Sequence, residues 1–358
     1  MRQILALAVT AVISACGGNA SPGVASHSAS ASVSPSSPAS TAAIPSPTPT
    51  PASPSPSSAP VLPLTSVGFS CRLAAYRRGG EATSWFIDFP ALSISVTSEL
   101  GTFYDTAFSR WLPVFQNQVS PDGRRYAYTE GWSASPPTAP RVHVVDAGTG
   151  ADVRVVTMPD AQPYFVIDFS GTGVDLGIGF EGRGPGVWKL DPTTGVVTKV
   201  SDGLYPPSAQ WLGVVDPSDP QPYRSVMTGM PGENRIDHRD AAGQTTTWFY
   251  RPAHVVRWIA FATNSALLVR SDWSDPANPS VGGTEFWLVS APNRASELAA
   301  HKFQESSPYA DLSDGFQNAI ADRHGIWIGG GQSLYLVTLQ GAVLRVYPKS
   351  AYPASGCD

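Results

Sequence analysis

Residues that could bind a ligand recur at one point in the pattern of this chain, the start of short runs rich in β-branched and aromatic residues. Five aromatic residues begin or precede such runs: Trp111, Tyr164, Trp211, Trp258 and Phe316. Aromatic rings exposed at such a position can stack on sugars or clamp a peptide. They can equally pack between neighbouring units, because a position that recurs through internal repetition usually recurs for packing. The sequence leaves both interpretations open.

Two aspartates, Asp168 and Asp216, fall in the same class of runs. Paired carboxylates can bind a cation or cleave a glycosidic bond, whereas single ones more often accept hydrogen bonds from nearby backbone. The chain has no G-x-S-x-G, H-E-x-x-H or Walker motif and no clustered Cys/His pattern. A G-x-G-x-x-G match at residues 177–182 is followed by no helical pattern, so we interpret it as accidental. We therefore predict no catalytic residue, no metal and no cofactor.

The elements that must position these residues are short strands separated by turns. Residues 119–157 show the pattern most clearly, as strand, Asp-Gly turn, strand, loop, strand, Thr-Gly turn, strand. Turns of similar type begin at Asp146, Asp191 and Asp240, which are 45 and 49 positions apart (146 to 191 to 240). A period in the high forties with four strands per period is typical of propeller blades. We predict an all-β fold, a six-bladed β-propeller, with seven blades left open.

The six predicted units differ in how completely they show four strands. The first unit lacks one strand, and the fourth includes a strand at residues 223–228 as its second. Residues 293–303 are the best helical candidate in the chain, although residues 296–300 also fit the last strand of the fifth unit. No long apolar pattern of helical period is present after residue 67.

One unit resembles a known family. Ser120-Pro-Asp-Gly123, followed by Tyr126-Ala-Tyr128 and Thr149-Gly150, resembles the SPDG-type repeat of periplasmic and secreted bacterial propellers, which are distant relatives of WD-repeat propellers. The resemblance implies a propeller fold from about residue 69 to residue 348. It implies no catalytic residue.

Two cysteines, Cys71 and Cys357, lie near the two ends of the predicted propeller. In an exported protein such a pair favours a disulfide over two free thiols. The ends of the chain must meet to close a propeller ring, and the bond would lock that seam. Residues 347–357 or 63–70 could then supply the strand that the first unit lacks.

The N-terminus has the features of an export signal, with Arg2 before the apolar run of residues 4–13. Ile13-Ser-Ala-Cys16 resembles the lipobox of bacterial lipoproteins. The resemblance implies cleavage before Cys16 and a diacylglycerol thioether on its sulfur; the alternative is an ordinary signal peptide with a chance cysteine. Residues 17–63 contain Ser, Pro, Ala and Thr but no Asp, Glu, Lys or Arg, a composition typical of a disordered tether. We predict a signal peptide at 1–15, a lipidated tether at 16–65 and a propeller at 66–358.

Composition limits the class of partner. The chain has 14% charged residues and a formal net charge of −5, which argues against nucleic-acid binding because that requires a basic face. The sequence favours a cell-envelope lipoprotein outside the cytoplasm whose propeller binds a protein, peptide or glycan without catalysis. Two alternatives stay open: a glycan- or peptide-acting hydrolase or lyase using Asp168 and Asp216, and a structural spacer.

Overall fold

The structure is a computed structural model of the full chain, and its contacts separate residues Met1–Pro56 from Ser57–Asp358. The residues that it describes are 61–77, 83–131, 133–134, 137–178, 184–219, 232–262, 266–275, 277–303, 305, 307–313 and 319–357. The predicted signal peptide, Cys16 and most of the predicted tether lie outside the described residues.

The described part of the chain is a six-bladed β-propeller, as the sequence predicts. Six antiparallel sheets of three or four strands follow one another along the chain, accompanied by two small hairpins. The only helices among the described residues are the 3₁₀ turn Gln116–Gln118 and α1 (Ala310–Ser313). Within that part of the chain, no helix has the length and apolar character needed to cross a membrane.

Blades 1 and 2 contain the first ten strands. Blade 1 and the hairpin after it comprise β1 (Cys71–Tyr76), β2 (Ser84–Phe89), β3 (Ser93–Val96), β4 (Phe103–Asp105) and β5 (Arg110–Leu112). Blade 2 and its side hairpin comprise β6 (Arg125–Glu130), β7 (Ser133–Ala134), β8 (Pro137–Thr138), β9 (Arg141–Asp146) and β10 (Asp152–Thr157). The innermost position of blade 2 is reduced to a single bridge between Val119 and Tyr126.

Blades 3 to 6 and the closing strand complete the ring. Blades 3 and 4 comprise β11 (Tyr164–Ser170), β12 (Gly173–Ile178), β13 (Gly184–Leu190), β14 (Val197–Ser201), and then β15 (Trp211–Val214), β16 (Arg235–Arg239) and β17 (Thr245–Tyr250). Blade 5 comprises β18 (Val255–Ala262), β19 (Ala266–Asp275), β20 (Asn278–Ala291) and β21 (Arg294–Lys302). Blade 6 comprises β22 (Ala319–Asp322), β23 (Gly325–Gly329), β24 (Leu334–Thr338) and β25 (Val343–Tyr347), and β26 (Tyr352–Cys357) follows.

The residues 223–228, predicted to form a strand of the fourth unit, lie outside the described residues, and β15 pairs directly with β16. The helical candidate at residues 293–303 is wrong, whereas the strand predicted at residues 296–300 forms as part of β21. Residues 293–303 are not a helix, because β21 pairs along its length with β20. Alanine, leucine and glutamate are good helix formers, but helix propensities differ by less than about 1 kcal/mol per residue, and strand pairing in a blade outweighs them.

The Asp-led turns form as predicted, because each aspartate carboxylate accepts hydrogen bonds from the backbone of its own turn. The Thr149 backbone N–H lies 2.8 Å from Oδ1 of Asp146, and the Gly150 N–H donates to the Asp146 carbonyl at 2.8 Å. Gly150 has φ of +69°, which favours glycine over residues with a side chain. Each of these turns joins the third and fourth strands of a blade or their equivalents.

The ring closes in blade 1, which is built from both ends of the chain. Its strand order is β26-β1-β2-β3, so β26 supplies the inner strand that the first unit lacks. The predicted disulfide joins Cys71 and Cys357, whose Cα atoms are 5.5 Å apart. Disulfides persist in oxidising compartments, so this bond is typical of a protein outside the cytoplasm.

Candidate functional site

The clearest concave feature of the described residues is a cleft at the seam between blades 6 and 1. The connection from β25 to β26 crosses one face of the propeller here. β1 runs antiparallel to β26, so β1 ends and β2 begins on that same face. The cleft therefore opens beside the chain connection that completes the ring, on the face where the blade-to-blade connections run.

One side of the cleft is a continuous apolar face of blade 1. Trp85 pairs with Val96, and Ile87 pairs with Ile94. Cross-strand partners lie on the same face of a sheet, so all four side chains point the same way. Trp85 and Ile87 belong to the hydrophobic core shared with blade 6, whose Tyr347 covers the inner part of this face.

The outer part of the same face is left uncovered. Val96 is 75% exposed and Ile94 46% exposed, whereas Trp85 is only 8% exposed. Blades diverge as they run outward from a channel, so the outer strands of neighbouring blades are the hardest to pack together. The result is a cleft of about 400 Å³ with an aromatic floor and aliphatic outer walls.

The rim of the cleft is polar and carries positive charge. Arg77 follows β1, and Lys349 lies in the connection before β26; both residues are exposed and line the cleft. Thr83 and Ser350 also line it. The eight described residues around the cleft thus include two cations and no carboxylate. A volume of this size lies within the range of roughly 300–1,000 Å³ found for small-ligand pockets.

Trp85 carries a polar group as well as an apolar ring. Its indole Nε1–H is buried and, among the described residues, has no hydrogen-bond acceptor. Because that nitrogen has almost no exposed surface, the part of Trp85 that the cleft offers to a ligand is the apolar ring.

The first two predicted aromatic site residues are packing residues in this structure. Trp111 is 7% exposed and packs with Tyr76, Tyr352 and Phe86 beside blade 1. Tyr164 is 1% exposed, in the core between blades 2 and 3. Burial and the neighbouring Asp160 carboxylate raise the pKa of Tyr164 to about 12. Both positions favour the packing interpretation.

The other predicted aromatic residues are less buried or lie beyond description. Trp211 is half-buried in blade 4, with its ring 4.5 Å from that of His238 and 4.8 Å, edge to face, from that of Trp248. Trp258 lies in β18, and its side chain is not described. Phe316 lies outside the described residues. A ligand-binding role for these three stays a prediction, and the described contacts bring none of the predicted aromatics to the seam cleft.

Asp168 lies in the innermost strand β11, as predicted, but its neighbour is another carboxylate. It pairs across the sheet with the buried Asp175, whose Oδ1 is 3.4 Å from the Lys189 Nζ. The surrounding protein and the Asp175 charge raise the pKa of Asp168, although the residue itself is exposed. Burial likewise raises the pKa of Asp175, and Lys189 opposes that rise.

Asp216 lies in the turn just after β15 rather than in the strand. Its Oδ1 accepts hydrogen bonds from the hydroxyl of Ser218 at 2.7 Å and from the Ser218 backbone N–H at 2.9 Å. Its Oδ2 lies 3.3 Å from Nη1 of Arg235. The Ser218 hydrogen bonds, with a smaller contribution from Arg235, hold the pKa of Asp216 below its usual value. The described contacts therefore place Asp168 beside Asp175, and Asp216 beside Ser218 and Arg235, and none of them joins the two predicted carboxylates.

Within the described residues, no three His, Cys, Asp or Glu side chains are arranged to hold a metal ion.

Sequence reasoning missed the residues that line the seam cleft. It named none of Trp85, Ile94, Val96 and Tyr347 as a candidate binding residue, although it predicted that the chain ends meet. One signal was available: an outermost strand carries aliphatic residues at alternate positions, whereas edge strands usually carry charge there. Their joint position depends on ring closure, which the pattern of one unit does not encode.

Comparisons with known proteins concern the fold alone. TolB from Acinetobacter baumannii is 14% identical, with 80% of this chain and 67% of that chain covered and a TM-score of 0.38. An acylaminoacyl peptidase from Pyrococcus horikoshii is 12% identical, with 76% of this chain but only 43% of that chain covered and a TM-score of 0.39. The β-propeller domain of the Trilobed protease from Pyrococcus furiosus is 12% identical, with 79% and 85% covered and a TM-score of 0.34. No protein-family model matches the chain, and no curated protein is significantly similar to it.

Proposed function

We propose that this chain is a lipid-anchored propeller of the cell envelope that binds a segment of a protein, peptide or glycan in the seam cleft. The observation that carries the proposal is the cleft itself, in which an aromatic floor continues into exposed aliphatic walls. Apolar surface left in water costs about 25 cal/mol for each Å² that could be buried. A ligand that covers Ile94 and Val96 recovers that free energy.

The closure of the ring supports a binding role because it makes the cleft rigid. The disulfide Cys71–Cys357 fixes β26 against β1, the strand that Arg77 follows. Asp322 of blade 6 accepts hydrogen bonds from the Trp327 indole at 2.6 Å and from the Cys357 backbone N–H at 2.7 Å. A site held in place by such contacts loses little conformational entropy on binding.

Anchoring rests on the N-terminal sequence. In the proposal, residues 1–15 are removed, Cys16 carries the lipid and residues 16–65 link it to the propeller at 66–358. A Pro-rich tether spans roughly 3.1 Å per residue, which lets the propeller reach partners well away from the membrane. Partners in the envelope are then bound at a distance set by the tether.

The experiment compares the full-length chain with a variant in which Val96 is changed to Asp. The probes are a random hexapeptide library and a set of peptidoglycan-derived oligosaccharides, each equilibrated with immobilised protein and identified by mass spectrometry. We expect the native chain to enrich a subset of one library and Val96→Asp to lose that subset. Val153→Asp is the matched control, since Val153 is also an exposed valine of an outermost strand but lies in blade 2.

Enrichment that survives Val96→Asp, or no enrichment by either protein, would contradict the proposal. The same samples test the hydrolase or lyase alternative. Cleavage of the probes by the native chain that is lost in Asp168→Asn would favour that alternative over binding alone.

A further inference from the structure

We infer that the seam cleft receives the C-terminal residue of a peptide, with its apolar side chain in the cleft and its free carboxylate between Arg77 and Lys349. The inference rests on the proposed function and deepens it by naming the chemical class of the ligand. Three features of the cleft support it: its division into an apolar and a cationic part, its shortage of groups that bind sugars, and the open edge of β3.

The cleft separates apolar from charged recognition over a short distance. Trp85, Tyr347, Ile94 and Val96 supply the apolar surface, and the two cations approach from different segments of the chain. Arg77 stands at the blade 1 end of the rim, and Lys349 on the connection from blade 6. A C-terminal residue has the same division, since its apolar side chain and its free carboxylate are both attached to the Cα atom.

Among the described residues, the charge of the rim is not neutralised. Neither the Arg77 nor the Lys349 side chain forms an ion pair with a described residue, and no carboxylate is among the described residues that line the cleft. Arginine binds a carboxylate through two parallel hydrogen bonds, and lysine adds a point charge. The rim therefore complements an anion although the whole chain has a net charge of −5.

The walls do not suit a glycan. A sugar presents several hydroxyl groups, each of which needs a partner when it leaves water. Three lining residues, Thr83, Tyr347 and Ser350, offer hydroxyl groups here, and the Ser350 hydroxyl already donates to the Gly330 carbonyl at 3.2 Å. Ile94 and Val96 offer none.

The edge of blade 1 favours a peptide over other apolar carboxylates. Within the described part of the chain, β3 pairs with β2 alone, so its outer edge has no strand partner. An extended peptide can add to such an edge through main-chain hydrogen bonds while its side chains enter adjacent pockets. Because Ile94 and Val96 belong to β3, a peptide added there would lead its last residue into the cleft.

The test measures fluorescence anisotropy of labelled hexapeptides with the full-length chain. One peptide ends in phenylalanine with a free carboxylate, a second has the same sequence with a C-terminal amide, and a third ends in glycine with a free carboxylate. We expect the first to bind about tenfold more tightly than either of the others, as is reasonable for two partly exposed charge contacts and for one buried aromatic side chain. The preference for acid over amide should shrink as salt rises, because salt screens exposed charges.

Variants separate the contributions of the rim and the floor. The double variant Arg77→Gln/Lys349→Gln should bind the acid and amide peptides with similar affinity. The control is Arg124→Gln/Lys302→Gln, which removes two exposed cations outside the cleft and should leave the tenfold preference intact. Trp85→Phe makes the aromatic floor smaller, and it should weaken binding of the acid peptide. Trp111→Phe makes the same change at a buried tryptophan outside the cleft, and it should leave that binding unchanged.

The outcomes distinguish this inference from the proposed function. Equal binding of acid and amide that Val96→Asp abolishes would overturn the carboxylate contact and leave the cleft as a binding site. Octanoate that displaces the peptide at equal affinity would overturn the peptide in favour of a fatty carboxylate. Absence of peptide binding would overturn this inference alone, because the proposed function also allows a protein or glycan ligand. Peptide binding that Val96→Asp leaves unchanged would place the peptide outside the cleft and overturn the inference as well.

Discussion

Glu285 shows how one carboxylate joins two blades. Arg251, which follows β17 of blade 4, donates to Glu285 Oε2 in β20 of blade 5 at 3.0 Å, and the Trp287 indole donates to the same oxygen at 3.0 Å. The His254 Nε2 is 3.6 Å from Oε1, a contact too long for a hydrogen bond but close enough to matter electrostatically. Burial by itself raises the pKa of Glu285, but His254, Arg251 and Trp287 outweigh it and lower the pKa to about 2.

The lowered pKa predicts a pH-dependent contribution to stability. A carboxylate whose pKa is depressed by folding stabilises the folded state above its unfolded pKa, and that stabilisation is lost as pH falls through the folded pKa. A pKa lowered from 4.5 to about 2 corresponds to about 3 kcal/mol, which solvent screening reduces to about 1–2 kcal/mol. Glu285→Gln should lower the free energy of unfolding by that amount at pH 7, and the difference should vanish between about pH 4.5 and 2. Urea unfolding of both proteins across this range measures it.

The control for this prediction is Glu305→Gln. Glu305 pairs with Lys302 at 3.0 Å, but both side chains are largely exposed. Exposed pairs contribute little, so this variant should change stability by less than about 0.5 kcal/mol at any pH. A loss for Glu285→Gln that is equal at pH 7 and pH 2.5 would mean that packing, and not the ionised carboxylate, joins the blades.

At the scale of elements, β26 turns an open chain into a ring. It pairs with β1 and contributes Cys357 to a disulfide that spans 286 positions. Cross-linking so long a loop restricts the unfolded chain, and native disulfides of this kind stabilise by roughly 2–5 kcal/mol. Replacing both Cys71 and Cys357 with Ser should lower the free energy of unfolding by that amount in urea titrations at pH 7.

Two further measurements make the seam prediction sharper. The native chain treated with a reductant should unfold like the double Ser variant, whereas the reductant should not affect the variant itself. Peptide affinity should fall in the variant as well, because the cleft is formed across the same seam. A variant as stable as the native chain would show that β26 is held by its strand pairing and by Asp322 alone.

The elements that the sequence predicted well are those that depend on near neighbours. Each Asp-led turn is fixed by hydrogen bonds within about four residues, so the local sequence is enough to predict it. The helical candidate at residues 293–303 was wrong because helix propensity is a weak local signal, whereas the strand predicted at residues 296–300 forms as part of β21. The partner of that strand, β20, is established only in the folded blade. Trp111 and Tyr164 were placed at the start of inner positions, but which side of the sheet they face depends on bulges and on neighbouring blades.

The seam cleft marks the limit of local reasoning. Its floor joins Trp85 from the first blade with Tyr347 from the last, and no periodicity relates residues so far apart in sequence. The prediction that the chain ends meet gave the location of a seam. Its chemistry follows from which outer side chains blade 6 leaves uncovered, a matter of packing between two surfaces.

At the scale of the whole molecule, the proposed lipid on Cys16 decides where the propeller works. Two or three acyl chains anchor a protein stably, whereas one chain binds reversibly. Cys16→Ser should therefore move the chain from the membrane fraction to the soluble fraction of the cells that make it, and it should abolish incorporation of labelled palmitate. The Cys71→Ser/Cys357→Ser variant, which keeps Cys16, should stay in the membrane fraction and keep the label. Palmitate label that persists in Cys16→Ser would contradict lipidation of Cys16. Because the cleft belongs to the propeller and not to the anchor, the released Cys16→Ser protein should bind the acid peptide with unchanged affinity.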